Sequence, residues 1–204
     1  MLLDLNKKSV DIESIAKKAL EDEKILSELL EGLLSEKDTI RYNSFKVLEH
    51  VSQRKPEVLY PYWDKFVEKL NSDNSFHRYH GVFIIANLTR VDKEKKFEKI
   101  FDTYCGLVED KSFIVAVNVV GNLGKIARAK PHLQAKVTSI LLDVGKTGHK
   151  HKDLMKSGSI QSFAEYFDET ENKEKILEFV RKQLDCESPK TRKMAKQFME
   201  KWGK

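Results

Sequence analysis

The sequence predicts an all-α protein, an α-α superhelix of about five helical hairpins. Three observations carry that expectation. Nine Gly and four Pro in 204 residues leave few breaks between helices. Apolar residues recur at three and four positions, the period of a helix face. One such pattern returns along most of the chain. Reading positions 0, +3, +7 and +10 gives Arg41, Ser44, Leu48, Val51, then Arg78, Gly81, Ile85, Leu88, then Ala116, Val119, Leu123, Ile126. It continues as Lys156, Ser159, Phe163, Tyr166 and Arg192, Ala195, Met199, Trp202, with starts 37, 38, 40 and 36 residues apart. The +3 residue is small except at Val119, so these helices are expected to approach their neighbours closely.

The expected helices span 9–20, 22–34, 39–53, 57–70, 75–90, 93–108, 112–129, 131–145, 152–167, 172–185 and 189–202. Between the repeating first helices lie amphipathic second helices, with apolar faces Tyr62, Phe66, Leu70; Phe97, Ile100, Tyr104, Leu107; Leu133, Val137, Ile140, Val144; and Ile176, Val180, Leu184. Pro56 and Pro131 head second helices, where a missing N–H does no harm. Pro61 should kink its helix or delay it by about a turn. Ser188 followed by Pro189 reads as an N-cap and a first-turn proline. "GVFIIA" and "FIVAVNVV" are β-prone in composition, yet fall where the period demands a first helix. Gly158, between two serines, is expected to loosen the start of its helix. The organisation predicted is a single repeat domain over 1–204: capping helices in 1–36, four hairpins in 37–186 and a last helix in 187–204. A lone hairpin cannot bury its own apolar face, so neighbours must stack.

"DTIRYNSFKVLEHV" (38–51) and "SPKTRKMAKQFMEKW" (188–202) carry a turn acid or proline, then Arg, a small residue and an apolar one. In this the chain resembles the HEAT-repeat, armadillo-like family of helical solenoids, over about residues 22–204. The resemblance implies a fold and no single activity. Arg stands at 41, 78 and 192 but gives way to Ala116 and Lys156, and the turn acid is clear only at Asp38, so an Asp–Arg ladder through the stack would be incomplete. Some HEAT-like proteins are DNA glycosylases. Trp63 beside Asp64 is the nearest thing here to their aromatic and acid, but adjacent helical residues point about 100° apart.

Charge is uneven. Residues 1–110 hold 18 Lys+Arg and 21 Asp+Glu, residues 111–156 hold 9 and 2, and residues 157–204 hold 10 and 9. The +7 middle segment contains "VGKTGHKHKDLMKSG" (144–158). Its "GKT" lacks the glycine five residues earlier that a phosphate loop requires, Ile140 standing there inside an expected helix. Gly145 and Lys146 read instead as a helix C-terminus. His149 and His151 give two ligands at best and read as solvated loop residues. Cys105 and Cys186 make neither a disulfide framework nor a zinc set and read as small buried hydrophobes. There is no G-x-S-x-G or H-E-x-x-H, and neither a catalytic residue nor a cofactor is expected. No apolar run reaches the roughly 20 residues of a membrane span, and "MLLDLNKKS" is not a signal peptide, so a cytoplasmic protein is expected.

The function expected is that of a non-enzymatic scaffold binding a protein partner on its concave surface. The residues expected to stand exposed there are Trp63, Lys65, Lys69, Lys96, Lys99, Asp102 and Lys136. The alternative is nucleic-acid binding through a basic patch of Lys125, Arg128, Lys130, Lys146, Lys150, Lys152 and Lys156. An acidic protein surface would also suit that patch.

Overall fold

Residues 4–203 are described by a computed structural model of the chain; residues 1–3 and 204, the outermost parts of the expected capping and C-terminal segments, lie outside the described residues. The described residues form twelve α-helices and no strand. They are α1 (Ile12–Glu21), α2 (Glu23–Gly32), α3 (Asp38–Arg54), the single turn α4 (Pro56–Leu59), α5 (Trp63–Leu70), α6 (Ser75–Leu88), α7 (Lys96–Gly106), α8 (Phe113–Ala129), α9 (Gln134–Leu142), α10 (Lys152–Ala164), α11 (Lys173–Arg181) and α12 (Pro189–Trp202). Pro61 acts as expected: 57–70 is divided into α4, a 3-10 turn over Tyr60–Tyr62, and α5. The second helices are shorter than the periodicity implied. Segment 131–145 resolves into a 3-10 turn, α9, and a second 3-10 turn at Val144–Lys146. Segment 93–108 begins only at Lys96, after Lys95 turns through the left-handed region at φ 55°.

Side-chain caps start several helices. Asp11 accepts from the Ser14 amide at 3.0 Å, Asp22 from Lys24 at 2.8 Å and Asn74 from Phe76 at 2.9 Å. Ser188 accepts from the Thr191 amide at 3.4 Å, with Pro189 in the first turn of α12. The β-prone runs are helical: "GVFIIA" lies in α6 and "FIVAVNVV" in α8.

The chain divides into two compact units, one up to Asp92 and one from Lys93 onward. In the first, α3 packs on α1, α2 and α6, and α5 packs on α6. Ser44, Leu48, Val51, Ile85 and Leu88, all positions of the recurring face, are buried. Gly81 earns its place, because a Cβ there would lie 2.9 Å from both the Phe66 carbonyl oxygen and a Leu70 methyl. The α5–α6 contact therefore needs a residue without a side chain.

In the second unit, α10 packs on α8, α9 and α12, and α11 packs on α9 and α12. Val119, Leu123, Ile126, Ser159, Phe163, Tyr166 and Ala195 are buried. Burying each large apolar side chain is worth about 1.5–3 kcal/mol. The α8–α10 crossing is very close. A Cβ on Gly124 would strike the Ser162 backbone, and the Ser162 hydroxyl donates to the Val120 carbonyl at 2.6 Å. Gly158 does not loosen its helix. It sits buried in the middle of α10, with Val120 3.1 Å from where its Cβ would be, so helix packing replaces the mobility its composition suggested.

Candidate functional site

The second-helix face of the second unit is built by α7 and α9. Phe97, Phe101, Tyr104 and Val137 point inward and are buried, while Lys99, Asp102 and Lys136 stay exposed. The Lys136 ammonium lies over the Phe101 ring, 5.8 Å from its centroid, which ties α9 to α7. Lys96 is half-buried and pairs with Glu94 at 3.6 Å. Lys96, Lys99 and Asp102 lie on α7 and Lys136 on α9.

In the first unit the expectation is partly overturned. Lys65 is exposed, its ammonium 5.6 Å from the Tyr62 ring centre. Trp63 is only 2% exposed and Lys69 only 8% exposed, so neither stands free on the surface. Trp63 shares the inward face with Phe66 and Leu70, three and seven residues on, and packs against Tyr60. Lys69 is drawn in by the close α5–α6 contact, its Cβ lying 3.4 Å from where a Gly81 Cβ would be. Asp64, the next residue, is exposed.

The basic segment holds far less free charge than its composition suggests. Lys130 is 5% exposed and its ammonium sits 3.1 Å from Glu98, which also meets His132 at 3.0 Å. The sequence could not reveal this pairing, because the carboxylate lies 32 residues earlier. Arg128 faces Glu165 at 3.5 Å, Lys146 faces Asp143 at 2.8 Å and Lys156 faces Asp153 at 2.7 Å. Lys125 donates to the Asn122 side chain at 2.9 Å. Lys150 is exposed and Lys152 half-exposed.

The histidine loop is likewise tied down. His149 is half-buried, with Nε2 3.2 Å from the Val108 carbonyl oxygen. The Gly148 amide donates to Glu109 at 3.2 Å. Phe113 lies edge-on to both His149 and His151, at 5.7 and 5.4 Å between ring centres. Expected as solvated, His149 is instead a clasp onto the turn before α8. Among the described residues no group of three His, Cys, Asp or Glu converges as a metal site would require. Cys105 and Cys186 are buried and free, and burial raises the Cys105 thiol to about 12, with Asp102 adding to the effect.

Three arginines share one role that the sequence left open. Arg41 donates to the Ser35 carbonyl at 2.8 Å, Arg78 to Ser72 at 2.6 Å and Arg192 to Cys186 at 2.6 Å, always six residues back. Arg41 also pairs with Asp38. What recurs is therefore an arginine closing the preceding turn.

No protein-family model matches the sequence, and no curated protein matches it. Solved structures do match. A designed armadillo repeat protein is similar with a TM-score of 0.63 at 15% identity, over 95% of this chain and 95% of that one. A designed armadillo repeat protein in complex with the peptide (KR)4 gives a TM-score of 0.65 at 16% identity, over 94% of this chain and 90% of that one. Computationally designed armadillo repeat proteins for modular peptide recognition give 0.58 at 15%, over 93% and 90%. At these identities the likeness establishes the fold: an all-α, armadillo-like helical repeat. Among the described residues no helix is long and apolar enough to cross a membrane.

Proposed function

We infer that this chain is a non-enzymatic scaffold, acting as one repeat domain, that binds an extended segment of a protein partner on the face built by its second helices. The observation that carries this is the split personality of α7 and α9. Their aromatic and aliphatic residues close the core, while Lys99, Asp102 and Lys136 are left exposed. Repeat arrays offer such faces to extended partners. The designed armadillo protein that holds (KR)4 shows that the fold can receive a peptide, in that case a basic one. Among the expected contact residues of α7 and α9, Lys96, Lys99 and Lys136 stand against Asp102, so the partner segment expected is acidic.

The test compares the wild type with a Lys99→Ala, Asp102→Ala, Lys136→Ala variant and with a Gln161→Ala, Lys196→Ala control on the first helices. Each is used to capture partners from the native host, followed by mass identification. Loss of the captured partner with the triple variant and retention with the control is expected. The reverse pattern overturns the reading.

Nucleic-acid binding through residues 125–156 is the lesser reading, since several of those cations have carboxylate neighbours, Lys130 with Glu98, Lys146 with Asp143 and Lys156 with Asp153. It requires a gel shift at low salt that weakens steeply as salt rises.

A further inference from the structure

We propose that the outward face of α12 is a separate binding site. Through Lys190, Lys193, Lys196 and Lys201 it holds the phosphate backbone of a nucleic-acid duplex without reading the sequence. This goes beyond the scaffold reading and uses none of its contact residues.

Residues 189–204 carry six Lys+Arg against one Asp+Glu, whereas residues 157–188 carry four against eight. Counted together the excess vanishes, but the fold gathers it on one helix. α12 packs on α10 and α11 and buries Thr191, Ala195 and Phe198. Lys190, Lys193, Lys196 and Lys201 are all exposed. Among the described residues none of the four has an ion pair, unlike Lys130, Lys146 and Lys156. Glu200 is the one acid of α12. Nor do these charges serve the helix. Its first turn has no acid and holds Lys190, where the helix dipole is already positive and a cation is unfavourable.

The chemistry of the face selects among polyanions. From Lys190 to Lys201 the helix runs about 16 Å. That is the reach of several phosphates, since a duplex carries one charge per roughly 1.7 Å of its axis. Lysine meets phosphate as a point charge, and nucleic-acid interfaces are wet and strongly positive. A protein interface instead has an apolar, charge-poor centre in which Lys is depleted. The centre here is Lys193, Lys196, Gln197 and Glu200, all exposed, so an acidic protein finds no apolar anchor. A single strand needs free rings on which to stack its bases. Trp202 is already committed: Phe198 and Phe167 pack on it at 4.5 and 5.2 Å, Lys201 lies 4.0 Å from its ring centre, and its Nε1 donates to Asp168 at 2.8 Å. A bilayer is disfavoured because the apolar side of α12 is spent on the core.

The experiment is a fluorescence-anisotropy titration of the full chain with short labelled DNA and RNA duplexes of mixed sequence, at several salt concentrations. A single-stranded oligonucleotide, a polyglutamate peptide and phosphatidylserine vesicles are the comparison probes. At least one duplex should bind at low salt, more tightly than every comparison probe, and with little change when its sequence is scrambled. The variant Lys190→Gln, Lys193→Gln, Lys196→Gln should weaken duplex binding about tenfold or more and lower the slope of log affinity against log salt by about two to three. Its melting temperature should match the wild type, and Lys→Arg at the same three positions should retain binding. A control variant, Lys17→Gln, Lys18→Gln, Lys24→Gln, removes the same charge from exposed positions of α1 and α2 and should leave binding nearly unchanged.

No duplex binding by the wild type at low salt overturns the proposal. So does an unchanged affinity in the α12 variant, or an equal loss in the α1–α2 control, which would reduce the effect to net charge. Tighter binding of polyglutamate, of vesicles or of the single strand would assign the face to that other partner and reject the duplex.

Discussion

Arg78 closes the turn that leads into its own helix, its guanidinium donating to the Ser72 carbonyl at 2.6 Å. Arg41 and Arg192 do the same to Ser35 and Cys186. A carbonyl at a helix-to-helix turn has no helical partner, and a fixed, permanently charged fork is well suited to satisfy it. Arg78 is 5% exposed and its bond to Ser72 is part-buried, so truncating it removes a partner that water only partly replaces. Arg78→Met should destabilise the protein by about 1–3 kcal/mol, and Arg78→Lys by most of that, because a lysine lacks the fork. Urea unfolding would measure both. A loss under a few tenths of a kcal/mol would show the contact to be ornamental.

Two glycines three residues apart in α8 should respond oppositely to the same change. A Cβ on Gly124 would collide with the Ser162 backbone, whereas a Cβ on Gly121 meets nothing within 4 Å. Gly124→Ala must push α8 from α10 and should cost about 1–3 kcal/mol. Gly121→Ala gains helix propensity and should stabilise by up to about 1 kcal/mol. Thermal melting of the pair decides it, and equal shifts would mean that the α8–α10 contact is looser than the geometry implies.

These two cases show what the sequence could and could not display. The period-based face was legible because burial of Leu48, Val51, Leu123 and Phe163 obeys a helix repeat. Helix divisions at Pro61 and Pro189 were legible because proline acts locally. Trp63 was misread as exposed, although its spacing to Phe66 and Leu70 places it on their inward face. Lys69 and Lys130 could not have been read at all. The first is buried by a contact to Gly81 in the next helix, and the second by a pairing with Glu98 across the repeat. Charge counting along the chain overstated the basic segment for the same reason.

His80 makes the first unit sensitive to acid. Its ring is 3% exposed, stacks on Phe45 at 4.3 Å between centres, and has an Nδ1 without a hydrogen-bond partner. Burial, then the charges of Lys69, His77 and Arg41, lower it from 6.5 to about 3. The folded state therefore holds the neutral ring while the unfolded chain takes up a proton near 6.5. The stabilisation is complete above that value and is lost as pH falls from there towards 3, by up to roughly 1.4 kcal/mol per pH unit. His77 is shifted in the same direction and adds to the slope. His80→Phe should flatten the decline between pH 6 and 4 in urea-unfolding curves recorded across that range. An unchanged slope would assign the acid sensitivity elsewhere.

The His149 clasp should be a local lock with little weight in global stability. Its ring meets the Val108 carbonyl at 3.2 Å and the edge of Phe113, while the Gly148 amide reaches Glu109. These contacts hold a loop that carries the exposed Lys150, so they determine where that charge is presented. His149→Ala removes one part-buried hydrogen bond and one ring contact, together worth about 1–2 kcal/mol at most, and loops open locally before the fold does. Hydrogen exchange should therefore speed up over residues 144–152 while the helices α8 and α10 keep their protection. Phe113→Ala removes the ring between both histidines and should speed exchange in the same segment further. Acceleration spread evenly over α8 and α10 would instead make the clasp part of the core, and the loop a structural element in its own right.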